Sequence, residues 1–210
     1  MNDIIQAMET RRSIRQFKPD MPRKEELQQI IEAGLYAANG RGRQGAIILA
    51  VTNRELRDRL SALNREIGGF PEDKDPFYGA PAVLIVLADK SCPTGIYDGS
   101  LVMGNLMLAA HALGLGSIWI HRAKEEFERP EYKQLLKDLG IEGEWEGIGH
   151  CVVGYIDGGT AGCSGSNKQA QKRNGIPDGV PFLLVLNVPR RRCQASRHWQ
   201  PNTLRGCADR

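Results

Sequence analysis

The stretch that decides the fold is Asp98 to Arg122, DGSLVMGNLMLAAHALGLGSIWIHR, which holds no Lys, Arg, Asp or Glu between its two end residues. Leu101, Val102, Leu106, Met107, Leu108, Ala109, Ala110, Ala112 and Leu113 make a helix that is apolar nearly all round, the pattern of a buried helix rather than a surface one. Its uninterrupted part is too short to span a bilayer, and Gly114 and Gly116 end it before Ser117-Ile118-Trp119-Ile120 begins a strand. The expected order is a central helix, a glycine turn and a buried strand whose end delivers His121 and Arg122. Taken alone, such a unit is also what the core of any α/β domain looks like.

Outward from this centre, Ala46 to Val51 and Ala82 to Ala88 are continuous apolar runs, read as buried strands, and Ile148 to Tyr155 as a last one. Asp3 to Thr10 reads as a short helix with Ile4, Ile5 and Met8 on one side. A second helix runs from about Arg23 to Ala37, with Leu27, Ile30, Ile31, Gly34 and Leu35 at helical spacing. Arg54 to Ile67 reads as a charged surface helix and Glu131 to Leu139 as a short one. The loop from Gly68 to Gly79 is long enough to be a lid or an edge segment.

Two polar stretches stand out between these elements. Arg11-Arg12-Ser13-Ile14-Arg15 places three guanidinium groups and a hydroxyl within five residues; it is either an anion site, since Arg matches phosphate in bidentate fashion, or a solvated basic turn. Asn39-Gly40-Arg41-Gly42-Arg43-Gln44-Gly45 is either a ligand loop, where glycine admits close approach and amides read a heterocycle edge, or an ordinary flexible connection. No G-x-G-x-x-G follows a strand here, as a dinucleotide fingerprint would require, no Walker sequence or nucleophile elbow occurs, and His111, His121, His150 and His198 lack metal-ligand spacing. His111 reads as a satisfied core histidine. Arginines, a glycine loop and a strand end without an acid–base pair suit a protein that holds a cofactor with chemistry of its own.

Length suggests one domain with a full-sized core. The five cysteines form no C-x-x-C pair, which favours a reducing cytoplasm, and the amphipathic start with its acidic residues is unlike a signal peptide. The net charge of +3 conceals two unlike parts. Residues 159–210 carry nine Lys/Arg against two Asp/Glu, whereas residues 1–158 carry nineteen against twenty-three.

The Arg11–Arg15 motif after a short helix, the loop ending at Gln44, the Asp98–Leu113 helix, Gly114–Ile120 and Ile148–Tyr155 together resemble the nitroreductase family of FMN-dependent oxidoreductases, over about residues 1–157. That resemblance implies an α+β fold with a central mixed or antiparallel sheet flanked by helices, and a homodimer formed through the long buried helix. It implies FMN at the interface, with Arg11, Arg12, Ser13 and Arg15 on its phosphate, ribityl chain and pyrimidine edge. Asn39, Gly40 and Gln44 would line the ring from the partner side. Ile120, His121 and Arg122 would lie at the reactive edge, where a backbone N–H faces N5, and Gly149 near the phosphate. NADH or NADPH would reduce the flavin and a nitroaromatic, quinone or similar small-molecule acceptor would reoxidise it by ping-pong exchange, with no catalytic side chain, metal, membrane or nucleic acid. The alternatives are a flavin-binding protein with little turnover, or a same-fold flavin dehydrogenase or reductive dehalogenase.

Two departures accompany the resemblance. The loop lacks the Pro-Ser that usually precedes its Asn and the Gln-Pro-Trp that follows. After Gly158 the proline-rich stretch, the Arg/Lys that closes on the phosphate and the terminal arm are missing. Residues 159–210 read instead as an atypical basic tail, either a shifted reading frame or fused sequence, or a disordered extension, with a strand expected only in Val180–Val188.

Overall fold

The computed structural model describes residues 2–158 and 183–186. The elements follow the chain as α1 (Asp3–Thr10), α2 (Lys24–Leu35), a 3-10 turn (Gly40–Gly42), β1 (Ala46–Val51), α3 (Arg54–Gly68), β2 (Ala82–Asp89), α4 (Gly95–Ala112), β3 (Gly116–Ile120), α5 (Ala123–Phe127), α6 (Pro130–Asp138), β4 (Trp145–Gly154) and β5 (Leu183–Leu186). The strands form one sheet in the order β3-β4-β2-β1-β5, every pair antiparallel. The fold is α+β.

The apolar runs are explained by cover on both faces of this sheet. Ile47, Leu49, Val83, Ile85, Leu87 and Val152 pack against α3, α5 and α6, while Ile48, Ala50, Leu84, Val86, Cys151 and Val153 pack against α2 and α4. Antiparallel sheets often leave one face wet and then alternate; here neither face is wet, so the alternation disappears. From Val83 to Leu87 no residue exceeds 1% exposure.

The central helix begins three residues earlier than expected, at Gly95, because Asp98 bonds Thr94 and the preceding turn rather than starting the helix. It is buried on one face only. Val102, Met103, Leu106 and Ala110 enter the core, but Ile96, Tyr97 and Leu101 are 54%, 72% and 50% exposed. Leu101 is thus left half exposed among the described residues. Apolar composition, which reads as burial, does not say whether the cover is this chain or another.

One element escapes the sequence reading, and one that it expected is present over part of its range. Ala123–Phe127 forms α5, too short to show a helical period. Within the expected Val180–Val188 strand, Leu183–Leu186 pairs with β1 through Val51↔Leu183 to Ile48↔Leu186. The expectation of a disordered or frame-shifted tail otherwise lies outside the described residues.

Candidate functional site

The arginine segment is fixed to one end of the β3–β4 pair. Ile14 N donates to Ser117 O at 3.0 Å, Lys18 N to Tyr155 O at 2.9 Å, and Ser13 bridges Ser117 in parallel. This threads residues 13–18 between the start of β3 and the end of β4. Thr10 Oγ1 lies 2.9 Å from His111 Nε2, tying the end of α1 to the last turn of α4. Burial, and then the positive charges of Arg11 and Arg12, hold the His111 pKa below its usual value, so the ring favours its neutral form beside the arginines.

The four predicted residues here play unequal parts. Arg12 Nη1 donates to the carbonyls of Glu9 and Arg11 at 2.7 and 2.8 Å, capping α1 rather than standing free. Arg15 and Ser13 are exposed. Arg11 is the distinctive one: its Nη1 is buried without a hydrogen-bond partner among the described residues. A buried guanidinium nitrogen left unpaired is costly, and an anion alongside would relieve it.

His121 and Arg122 lie at the other end of β3. Ile120 pairs with His150 across the sheet, after which the chain turns through Arg122 at φ 79°, a left-handed conformation that non-glycine residues seldom take. The Arg122 guanidinium lies 4.7 Å from the Phe70 ring, and the His121 ring 5.8 Å from that of Trp119. Trp119 Nε1 is buried and unpaired among the described residues. Gly149 sits directly beneath this indole, where a Cβ would collide with Nε1. The strand register therefore puts Gly149 at the His121 end of the pair, not at the arginine end as expected.

Asn39, Gly40 and Gln44 dock on the first turn of α4. Gly40 N donates to Asp98 Oδ1 at 3.0 Å, Gln44 N to Asn39 Oδ1 at 3.0 Å, and Gly40 abuts Thr94 so closely that a Cβ has no room. The loop is therefore built, with Arg41 and Gln44 at φ 57° and 50°. Residues 98 and 111 mark the two ends of α4, about 20 Å apart at a rise of 1.5 Å per residue. One chain thus separates the arginines from the loop by the length of its central helix.

The sequence reading missed a second polar group. Asn64 on α3, Glu126 on α5 and His150 on β4 are all fully buried. The spacing of Arg57, Ser61 and Asn64, a polar stripe beside Leu60, was the available signal; against so charged a helix it does not stand out. Among the described residues no group of His, Cys, Asp and Glu suits a metal ion, and no helix is long and apolar enough to cross a membrane.

The Nitroreductase family model matches residues 8–68 and 70–155. The chain belongs to the nitroreductase family. A protein of Methanothermobacter thermautotrophicus, named as an NADH dehydrogenase/NAD(P)H nitroreductase, is 29% identical over 121 residues, 56% of this chain and 60% of that one. The chain thus spans about three fifths of that relative. The FMN reductase [NAD(P)H] of Bacillus subtilis is 27% identical over 170 residues, covering 67% of this chain and 66% of that protein. Among solved structures, a nitroreductase with bound FMN from Bacteroides fragilis superposes with a TM-score of 0.68 at 24% identity, over 84% of this chain and all of the other.

Proposed function

We propose that this protein is an FMN-dependent NAD(P)H oxidoreductase that works as a homodimer and reduces nitroaromatic, quinone or similar small acceptors. One observation carries the reading: in a nitroreductase-family chain, Arg11, two residues before the segment that pairs with the start of β3, has a buried Nη1 with no partner among the described residues. A flavin phosphate would supply the missing acceptor, and Trp119 Nε1 offers a second unmet donor on the same side of the sheet. The names of the Bacillus subtilis FMN reductase and of the FMN-bound Bacteroides fragilis nitroreductase point the same way.

Bound FMN would supply a centre able to take a hydride from NADH or NADPH and to pass the electrons to an acceptor. The protein's residues then bind and orient. Arg11 and Arg15 supply positive charge for the phosphate, with Ser13 adding a donor. The neutral His111 keeps the end of α1 against α4 without competing for the anion. Ile120 to Arg122 present backbone at the opposite end of β3, which at about 3.3 Å per residue spans roughly 15 Å.

The separation of the arginines and the loop supports the homodimer. Asn39 to Gln44 lie an α4 length from Arg11, so an antiparallel pairing of two α4 helices brings one copy's loop beside the other's arginines. Tyr97, Leu101, Gly104, Leu108 and Ala112 recur on the α4 face turned away from the sheet, next to the exposed Ile4, Ile5 and Met8 of α1. This uncharged strip suits a second copy. A reducing compartment such as the cytoplasm suits the free Cys92 and Cys151, the latter with its thiol pushed up to about 12 by burial.

Flavin titration of the flavin-free protein tests the site. Arg11→Ala should weaken FMN binding about ten- to hundredfold, the ~1.5–3 kcal/mol of one charge-assisted contact. Unchanged affinity would remove Arg11 from the site. An acceptor screen then separates nitro and quinone reduction from dehalogenation.

A further inference from the structure

The buried Asn64, Glu126 and His150 are not used by the proposed chemistry, yet they meet directly behind the His121–Arg122 turn. His150 Nε2 lies 2.7 Å from Glu126 Oε2. Asn64 Nδ2 donates to Glu126 Oε1 at 2.7 Å and to the His121 carbonyl oxygen at 2.8 Å. Both of those partners are acceptors, so only the NH2 end of Asn64 can stand between them, and both of its hydrogens are committed. Phe77 closes over the His150 ring with centroids 5.2 Å apart. A buried acid is expensive to keep unless every lone pair is placed, and this one ties α3, α5 and β4 to a single carbonyl.

That carbonyl shares its peptide plane with the Arg122 N–H. The bond is trans, so the two groups point in opposite directions. Anchoring the His121 oxygen inside the core therefore turns the Arg122 N–H outward, away from Asn64. Arg122 at φ 79° has reason to relax, and the anchor opposes that. Accepting a hydrogen bond also polarises the peptide, strengthening its N–H by about 10–30%.

We propose that Asn64, held by Glu126 and His150, is a positioning residue that aims and polarises the Arg122 N–H towards the N5 edge of the bound flavin and so sets its midpoint potential. This rests on the FMN reading above. A donor facing N5 favours the oxidised ring, whose N5 accepts, over the reduced ring, whose N5 carries a hydrogen. Releasing the peptide should therefore raise the potential.

The test compares wild type with Asn64→Leu, each loaded with FMN, for flavin per chain and midpoint potential by anaerobic dye equilibration. The expected result is unchanged flavin content with the redox equilibrium shifted about tenfold towards reduced flavin, which is ~30 mV upward for a two-electron couple. In flavin-free protein the Arg122 amide resonance should move while amides of β1 stay in place. If Asn64→Leu does not fold, Asn64→Ser removes the reach without adding bulk and gives the same readouts. Bound FMN with an unchanged potential and an unmoved Arg122 amide overturns the positioning role and leaves the FMN reading standing. A wild type that takes up no FMN overturns that reading, and this proposal with it.

Discussion

Arg11 and Asp75 show how differently two charged side chains can use burial. Arg11 keeps a buried nitrogen without a partner among the described residues, a cost that an added acceptor would relieve. Asp75 is over-satisfied: Arg57 Nη2 and Ser61 Oγ each donate at 2.5 Å, and the N–H groups of Phe77 and Gly79 at 2.9 and 2.6 Å. Burial pushes the Asp75 carboxyl up, but these donors together outweigh it and hold the pKa below the usual carboxylate range. A carboxyl depressed in the folded state contributes stability that is complete above its unfolded value near pH 4 and is lost as pH falls through the folded value. Thermal unfolding followed from pH 6 to pH 2 should therefore show an acid limb that Asp75→Asn flattens, with lower stability at neutral pH. Equal acid slopes in the two proteins would show that Asp75 contributes nothing to that limb. Because the same carboxylate folds the segment from Asp75 to Gly79, that stretch is a packed turn and not a free lid.

At the scale of elements, α4 separates what composition reveals from what it conceals. Its lack of charge made helix, glycine turn and strand legible, as did the runs of β1 and β2, because residues buried on both faces leave no polar alternation to misread. The same lack of charge did not distinguish cover by the sheet from cover by another copy. Leu101→Arg places a charge on the strip proposed for the second copy and far from the sheet. Sedimentation should show the wild type as a dimer and the variant as a monomer with the fold intact; two dimers would place the interface elsewhere. The elements that escaped the sequence were those whose logic is tertiary. α5 has only five residues, and Glu126 within it reads as one more surface acid until Asn64 and His150 are brought to it from elements 62 and 24 residues away. The left-handed turn at Arg122 has no signature of its own, since nothing in the residue type demands it. Gly149 was expected near the phosphate from the resemblance alone; its place beneath the Trp119 indole depends on strand register, which a single strand does not disclose.

At the scale of the whole molecule, the chain joins a family-matching body, residues 8–155, to a tail of different charge that returns one strand, β5, to the edge of β1. Truncation after Gly158 removes that strand's ladder with β1 and bares an edge. A loss of about 2–3 kcal/mol, from a few backbone hydrogen bonds of ~0.5–1.5 kcal/mol each, corresponds to a fall in melting temperature of roughly 5–10 °C for a protein of this size. An unchanged melting temperature would make residues 159–210 an appendage, as the break in composition suggests. Whether this body holds a working flavin is read from the visible absorption spectrum of the purified protein after incubation with FMN and buffer exchange, followed anaerobically as NADH and then NADPH are added. The expected result is a yellow protein bleached by at least one of the two donors and restored to yellow by a quinone or nitroaromatic. A protein that emerges colourless from buffer exchange would contradict the FMN reading.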